Sequence, residues 1–346
     1  MKTAKLYFLA FALLATVNLY AQRNDEQPYM TKDFSESSLN ALKVLTSGGS
    51  ISVEGSRSNG VRVEMYVRGS NWNGKEISDQ EIEERLKEYD LVVRREGNTV
   101  VATAKQKDRN SFDWKQGLSI SFRVYTPATF TTDLKTSGGS IRLASLAGEQ
   151  NFSTSGGSIK VRDLMGKIHG RTSGGSIEAS NCSDEVELTT SGGSIKAERM
   201  MGNVRLKTSG GSISLTDLNG TIAAATSGGG IRADGIKGEL DASTSGGSIR
   251  MQNLAASVKA RTSAGSIEAD FNQLGEFISL STSAGSVRVN MPLNKGVDLD
   301  LRGNRVSIPL KNFTGNQEKD RVQGSLNGGG IPVKLTASSG SVYVNQ

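Results

Sequence analysis

The sequence predicts an all-β protein. It is a β-solenoid with about two short strands in each 18-residue rung and a β-rich N-terminal cap carrying one short helix. Three observations predict it. The motif Thr-Ser-Gly/Ala-Gly-Ser/Gly-Ile begins at Thr136, Thr154, Thr172, Thr190, Thr208, Thr226, Thr244 and Thr262, always 18 residues apart. A fixed period of that length marks units that cannot bury a core singly and must stack. Within each unit, apolar and polar residues alternate in two short runs, the pattern of strands with one buried face. Glycines separate the runs, where a coil has to turn.

With Thr as position 0, position 5 is Ile in all eight copies, and position 7 is Leu, Val, Ala or Met. Position 6 is mostly charged (Arg142, Lys160, Glu178, Lys196, Arg232, Arg250, Glu268), so it faces outward. A second alternation places Ile168, Val186, Val204, Ile222, Leu240 and Val258 inward at position 14. Gly148, Gly166, Gly202, Gly220 and Gly238 at position 12 mark one corner, and the Gly pair at positions 2 and 3 marks the other. Both corners are expected to hold φ > 0, where a side chain costs about 1–2 kcal/mol. The Thr and Ser columns beside the Gly pair are expected to form hydroxyl ladders that cap backbone groups. At about 4.8 Å per rung, nine rungs make a column roughly 40 Å long.

Along the chain, residues 1–21 read as a signal peptide: Lys2 and Lys5, an apolar run over 6–17, and a cleavage point between Ala21 and Gln22. The apolar run falls short of the ~20 residues a membrane span needs. The mature chain is therefore expected outside the cytoplasm with no stable transmembrane anchor. Residues 22–135 form the expected cap, with strand-like runs at 51–53, 61–67, 91–94, 99–104 and 118–125. A helix is expected over 79–89, with Ser78 as N-cap and Glu81 completing a capping box. An early copy of the motif at Thr46 ties this region to the column. Regular repeats fill 136–290, including a ninth copy at Thr282 after a two-residue insertion. Residues 291–346 read as irregular closing rungs, with worn copies around Asn327 and Ser338 and a polar loop over 311–320.

Little in the sequence suggests catalysis. The one histidine, His169, sits at an outward position, and there is no His-Glu-x-x-His or nucleophile elbow. Cys182 falls in a column otherwise held by Leu146, Leu164, Met200, Leu218, Ile236 and Leu254, so it reads as buried filler. The polar column at position 9 (Asp163, Asn181, Arg199, Asp217, Asn253) is the best cluster, since β-helices that cleave polysaccharides use such residues. It lies next to a turn, where Asp and Asn are common for backbone reasons. No catalytic, metal or cofactor residues are assigned. Lys and Arg number 15 against 14 Asp and Glu between Thr136 and Asn290, which gives no basic stripe for nucleic acid. Trp72 and Trp114 lie in polar loops of the cap and are the candidate ligand contacts.

The Thr-Ser-Gly-Gly-Ser-Ile repeats resemble the "putative adhesin" family of exported bacterial β-strand-repeat proteins, a domain of unknown function. So does the order of Tyr89-Asp-Leu-Val-Val93, Gly117-Leu-Ser-Ile-Ser-Phe122, the repeats and Gly324-Ser-Leu-Asn-Gly-Gly-Gly330. The resemblance covers about 29–346. It implies a β-solenoid and an envelope location, and it supplies no catalytic residues. The expected function is a non-enzymatic adhesin or structural protein of the cell envelope, with a glycan or surface protein as partner. The alternative is a carbohydrate-active protein on a β-helix scaffold.

Overall fold

The computed structural model describes residues 27–69, 77–107 and 117–346, and all of their strands belong to one sheet wound into a coil. The expected leader, Trp72 and Trp114 lie outside the described residues. The regular rungs contribute strands of 13 residues, such as Ile159–Arg171, Ile177–Thr189, Ile195–Lys207 and Ile213–Ala225, lengthening to 14 and 16 residues in Ile249–Thr262 and Ile267–Thr282. Neighbouring rungs pair parallel and in register, with Ile177 beside Ile195 and Leu188 beside Leu206. The two short alternating runs expected in each rung lie within this strand, and a bend at position 9, where Asp163 and Asn181 make no pair across the ladder, joins them.

That bend explains the polar column. Ser145, Asp163, Asn181, Arg199, Asp217 and Asn253, all at position 9, hold φ between +51° and +58°. Asn and Asp tolerate this left-handed conformation best among residues with a side chain. At position 12, Gly148, Gly166, Gly202, Gly220 and Gly238 hold φ between +96° and +131°, as expected of a corner.

The Gly pair at positions 2 and 3 corrects an expectation. Neither residue holds positive φ in the regular rungs. Position 3 requires Gly because rungs touch there: a Cβ on Gly193 would fall on the carbonyl of Gly175, well inside van der Waals contact. Position 2 is roomier, with Gly174 O 3.6 Å from a Cβ on Gly192. The sequence agrees, since Ala264 and Ala284 occupy position 2 while position 3 stays Gly.

The threonine ladder is present and buried. Thr190 Oγ1 donates to the carbonyl of Gly175 one rung back at 2.8 Å and accepts from the N–H of Gly193 at 3.3 Å. The same pair of bonds recurs at Thr154, Thr172, Thr208, Thr226, Thr244 and Thr262. A buried, unmatched carbonyl would cost about 1–3 kcal/mol, so the hydroxyl column does structural duty. Inward columns at positions 5, 7, 10, 14 and 16 form one continuous core, in which each buried Ile contributes about 1.5–3 kcal/mol. Gly170 at position 16 leaves the space that the Phe152 ring fills. In the rung starting at Thr262 a bulge absorbs the insertion, so that Ile278 takes the place beside Val258.

The early copy is the rung below the first regular one. Ile51–Arg57 pairs with Ile141 of the next rung on one side and with Phe122 of Leu118–Pro127 on the other. The antiparallel strands Val61–Gly69 and Tyr89–Glu96 then cover this end. Ser78 Oγ accepts from the Glu81 N–H at 3.3 Å as the capping box requires, but the helix is Asp79–Leu86. Tyr89 instead begins a strand, and its hydroxyl accepts from the Leu118 N–H at 3.0 Å. At the other end Val342–Asn345 lies on Val287–Asn290, and Ile331–Ala337 on Thr282's strand. The polar loop expected at 311–320 contains the strand Phe313–Gln317, antiparallel to Arg321–Leu326. It escaped notice because it is exposed along most of its length and lacks alternation.

Candidate binding face

Positions 4 to 8 of successive rungs form a flat parallel face along the column. Position 4 supplies serines, position 6 long charged side chains, and position 8 shorter polar ones. Two troughs are cut into it, of about 510 Å³ and 600 Å³, and they share Ser214, Arg232 and Arg250.

Charges on this face pair mainly between rungs. Lys160 meets Glu178 at 2.9 Å, and Glu268 lies 3.0 Å from Arg250 and 3.4 Å from Arg288. Lys196 reaches Glu198 of its own rung at 2.6 Å, which raises the lysine and lowers the carboxyl. Two rungs on, the same columns behave differently. Asp234 accepts from Asn253 Nδ2 and Gln252 Nε2, both at 2.7 Å, and these bonds hold its carboxyl below the usual range. Arg232 is left without an ionic or hydrogen-bonded partner among the described residues. Exposed pairs of this kind add about 0–1 kcal/mol each, so the pattern bears on what the face can bind more than on stability.

The remaining chemically capable residues have structural settings. Cys182 is buried and its thiol is pushed up to about 11 by desolvation, the opposite of an activated nucleophile. His169 Nε2 lies 4.0 Å from Glu187 on the outer face, and its Nδ1 is buried without a hydrogen bond. Asp163, Asn181 and Arg199 bond to one another up the column, Asn181 Nδ2 to Asp163 at 2.8 Å and Arg199 Nε to Asn181 at 2.7 Å. Among the described residues no three His, Cys, Asp or Glu side chains are placed to hold a metal ion. Sequence reasoning missed Arg232, because its isolation depends on where a neighbouring rung sends its amides. The substitution of Gly for Ser at position 4 of the same rung was the one visible signal.

A coil of in-register parallel rungs, closed at both ends by irregular strands and carrying polar ladders outside, defines a capped β-solenoid. The chain belongs to the Toastrack DUF4097 family, whose model matches residues 15–345. No curated protein matches it. It is similar to a solved "putative adhesin" from Parabacteroides merdae, at 15% identity over 75% of this chain and 95% of that one, with a TM-score of 0.38. A second "putative adhesin", from Bacteroides fragilis, is 16% identical over 77% and 100% of the two chains, with a TM-score of 0.31. A "putative lipid binding protein" from Parabacteroides distasonis is 14% identical over 92% and 97%, with a TM-score of 0.32. Family membership rests on the family match and not on these likenesses.

Proposed function

We propose that this chain is an exported, non-catalytic adhesion or structural interaction protein of the bacterial cell envelope. The observation that carries the reading is the ladder face, which offers charged or hydroxylated side chains at each successive rung of the column. Such a surface suits contact with an extended partner. The cysteine packs in the core, the position 9 column serves the backbone bend, and His169 faces outward beside Glu187. Lys2, Lys5 and the apolar run that ends ahead of Ala21 support the export part of the reading. No helix among the described residues is long and apolar enough to cross a membrane.

The test uses protein recovered from envelope fractions, with intact mass expected to start at Gln22. It is then screened on arrays of envelope and host glycans, on envelope proteins, and for release of reducing sugar. Binding without release is the expected result. Sugar release, or no binding to any envelope component, would contradict the reading.

A further inference from the structure

The two troughs meet at a notch that departs from the repeat in two neighbouring rungs. Position 4 is Ser in the other regular copies, as in Ser212 and Ser248, but Gly230 in the rung between them. Position 6 of the rung before is Ser214, where its neighbours carry Lys196 and Arg232. Both departures remove side-chain bulk at one place. Arg232 stands over that place, with Arg250 directly beside it in the ladder. Arg232 has lost the counter-ion that its column neighbour Lys196 keeps, because Asp234 is held by Gln252 and Asn253 instead. An uncommitted guanidinium over a hydroxyl-lined notch is short of one planar anion.

The trough also runs along the stack, so an occupant longer than one group must be linear. Rungs repeat at about 4.8 Å. A 1,4-linked pyranose is about as long as one rung is tall, so a sugar chain laid along the face meets a serine of position 4 at successive rings. We infer that this trough binds an acidic polysaccharide of hexuronate type. One carboxylate would be clamped by Arg232, with Arg250 beside it already paired to Glu268 at 3.0 Å, and ring hydroxyls would meet Ser194, Ser212 and Ser248. The inference rests on the adhesion reading and names the class of partner for it.

The experiment measures binding of the full mature protein to an octamer of 1,4-linked galacturonic acid. The fully methyl-esterified octamer serves as an uncharged control of the same shape. Binding of the acid and not the ester is expected. Arg232→Gln should weaken it about tenfold or more, the loss of one charge-assisted pair. Arg142→Gln removes the same charge from the same column outside the troughs, where Arg142 also lacks a partner, and should leave affinity unchanged. Gly230→Ser restores the repeat and fills the notch. Its Cβ would meet the Ser248 carbonyl at 3.0 Å, so a shift of a few tenths of an ångström accommodates it. That variant should melt like the parent and bind as poorly as Arg232→Gln. Equal loss in Arg232→Gln and Arg142→Gln would overturn the site as diffuse electrostatics. Equal binding of acid and ester, tighter binding of a sulfated chain, or no binding of the acid would overturn it too. If the acid fails while other envelope components are still captured, this subsite falls and the adhesion reading stands.

Discussion

The regular stack and the N-terminal cap use the same rung but reach it by different routes. Inside the stack each strand lies beside the copy 18 residues away, as in Ile195 beside Ile213. In the cap the rung that begins at Thr46 meets its neighbour across 90 residues, where the Ser140 N–H donates to Ser50 Oγ. The stack packs many small inward residues, such as Ala179, Ala197 and Ala233, whereas the cap buries Phe122 and Phe130. Register in the stack is thus repeated locally, rung by rung. Register in the cap must be fixed by bulk, by antiparallel partners and by specific bonds. Gln150, fully buried at the junction, accepts from Thr132 Oγ1 at 2.7 Å and donates to the Phe130 carbonyl at 2.7 Å. A repeat cannot supply such a lock, and an end needs one, because an open last rung would be a template for aggregation.

The largest effects should come from removing segments. Deleting 190–207 joins Thr189 to Thr208 and leaves every inward column in register, so the shortened protein should stay soluble and melt cooperatively. Deleting only 190–198 rejoins the chain on the wrong side of the coil. Apolar side chains would then face water and glycine corners would fall within strands. That protein should aggregate or be degraded. Deleting 89–106 removes as many residues as the full rung, but it strips the hairpin from the cap and should also abolish folding. Solubility and melting of the three side by side decide the matter. Equal tolerance of all three would dissolve the contrast between stack and cap.

A smaller effect separates two adjacent glycines. Gly193→Ala drives a Cβ into the backbone of the rung below and should cost about 1–3 kcal/mol or more. Gly192→Ala meets its nearest atom at 3.6 Å and should stay within about 0.5 kcal/mol of the parent. Denaturant melts of the two variants measure the difference, and equal costs would refute the close rung contact.

The sequence was most informative where a requirement repeats. The position 10 column, the position 12 corners and the position 9 bend each recur often enough that one exception, such as Cys182, Asp184 or Gly235, does not hide them. Ala264 and Ala284 at position 2 are the trace in the sequence that the two glycines of each pair are not equivalent, a distinction lost when the pair is read as one φ > 0 corner. Features that occur once were harder to read. The strand Phe313–Gln317 has no buried face to pattern it. The helix lost its last turn because Tyr89 is committed to a strand and to Leu118. Arg232 acquires its meaning only from bonds made between rungs. Trp72 and Trp114 lie outside the described residues, so the candidate face now rests on other side chains.

The smallest effect concerns one thiol. Burial lifts Cys182 from 9.0 to about 11, so native protein at pH 8 should resist alkylation that the denatured chain undergoes readily. The native state keeps a proton that the unfolded chain releases, so stability should fall as pH rises from about 9 toward 11. Rapid labelling of native protein would mean that the core opens at this rung.

The central claim is that the copy at Thr46 is the rung directly below the copy at Thr136. Ser52 and Arg142 are opposite each other in the ladder, and both face outward. Lys160 is one rung further along the same column. In a Cys182→Ser background, Ser52→Cys with Arg142→Cys should form a disulfide under mild oxidation. Ser52→Cys with Lys160→Cys should not, because two rungs exceed the ~7 Å limit between bridged Cα atoms. Bridging of the first pair alone is the predicted result. No bridge in the first pair, or equal bridging in both, would contradict the account.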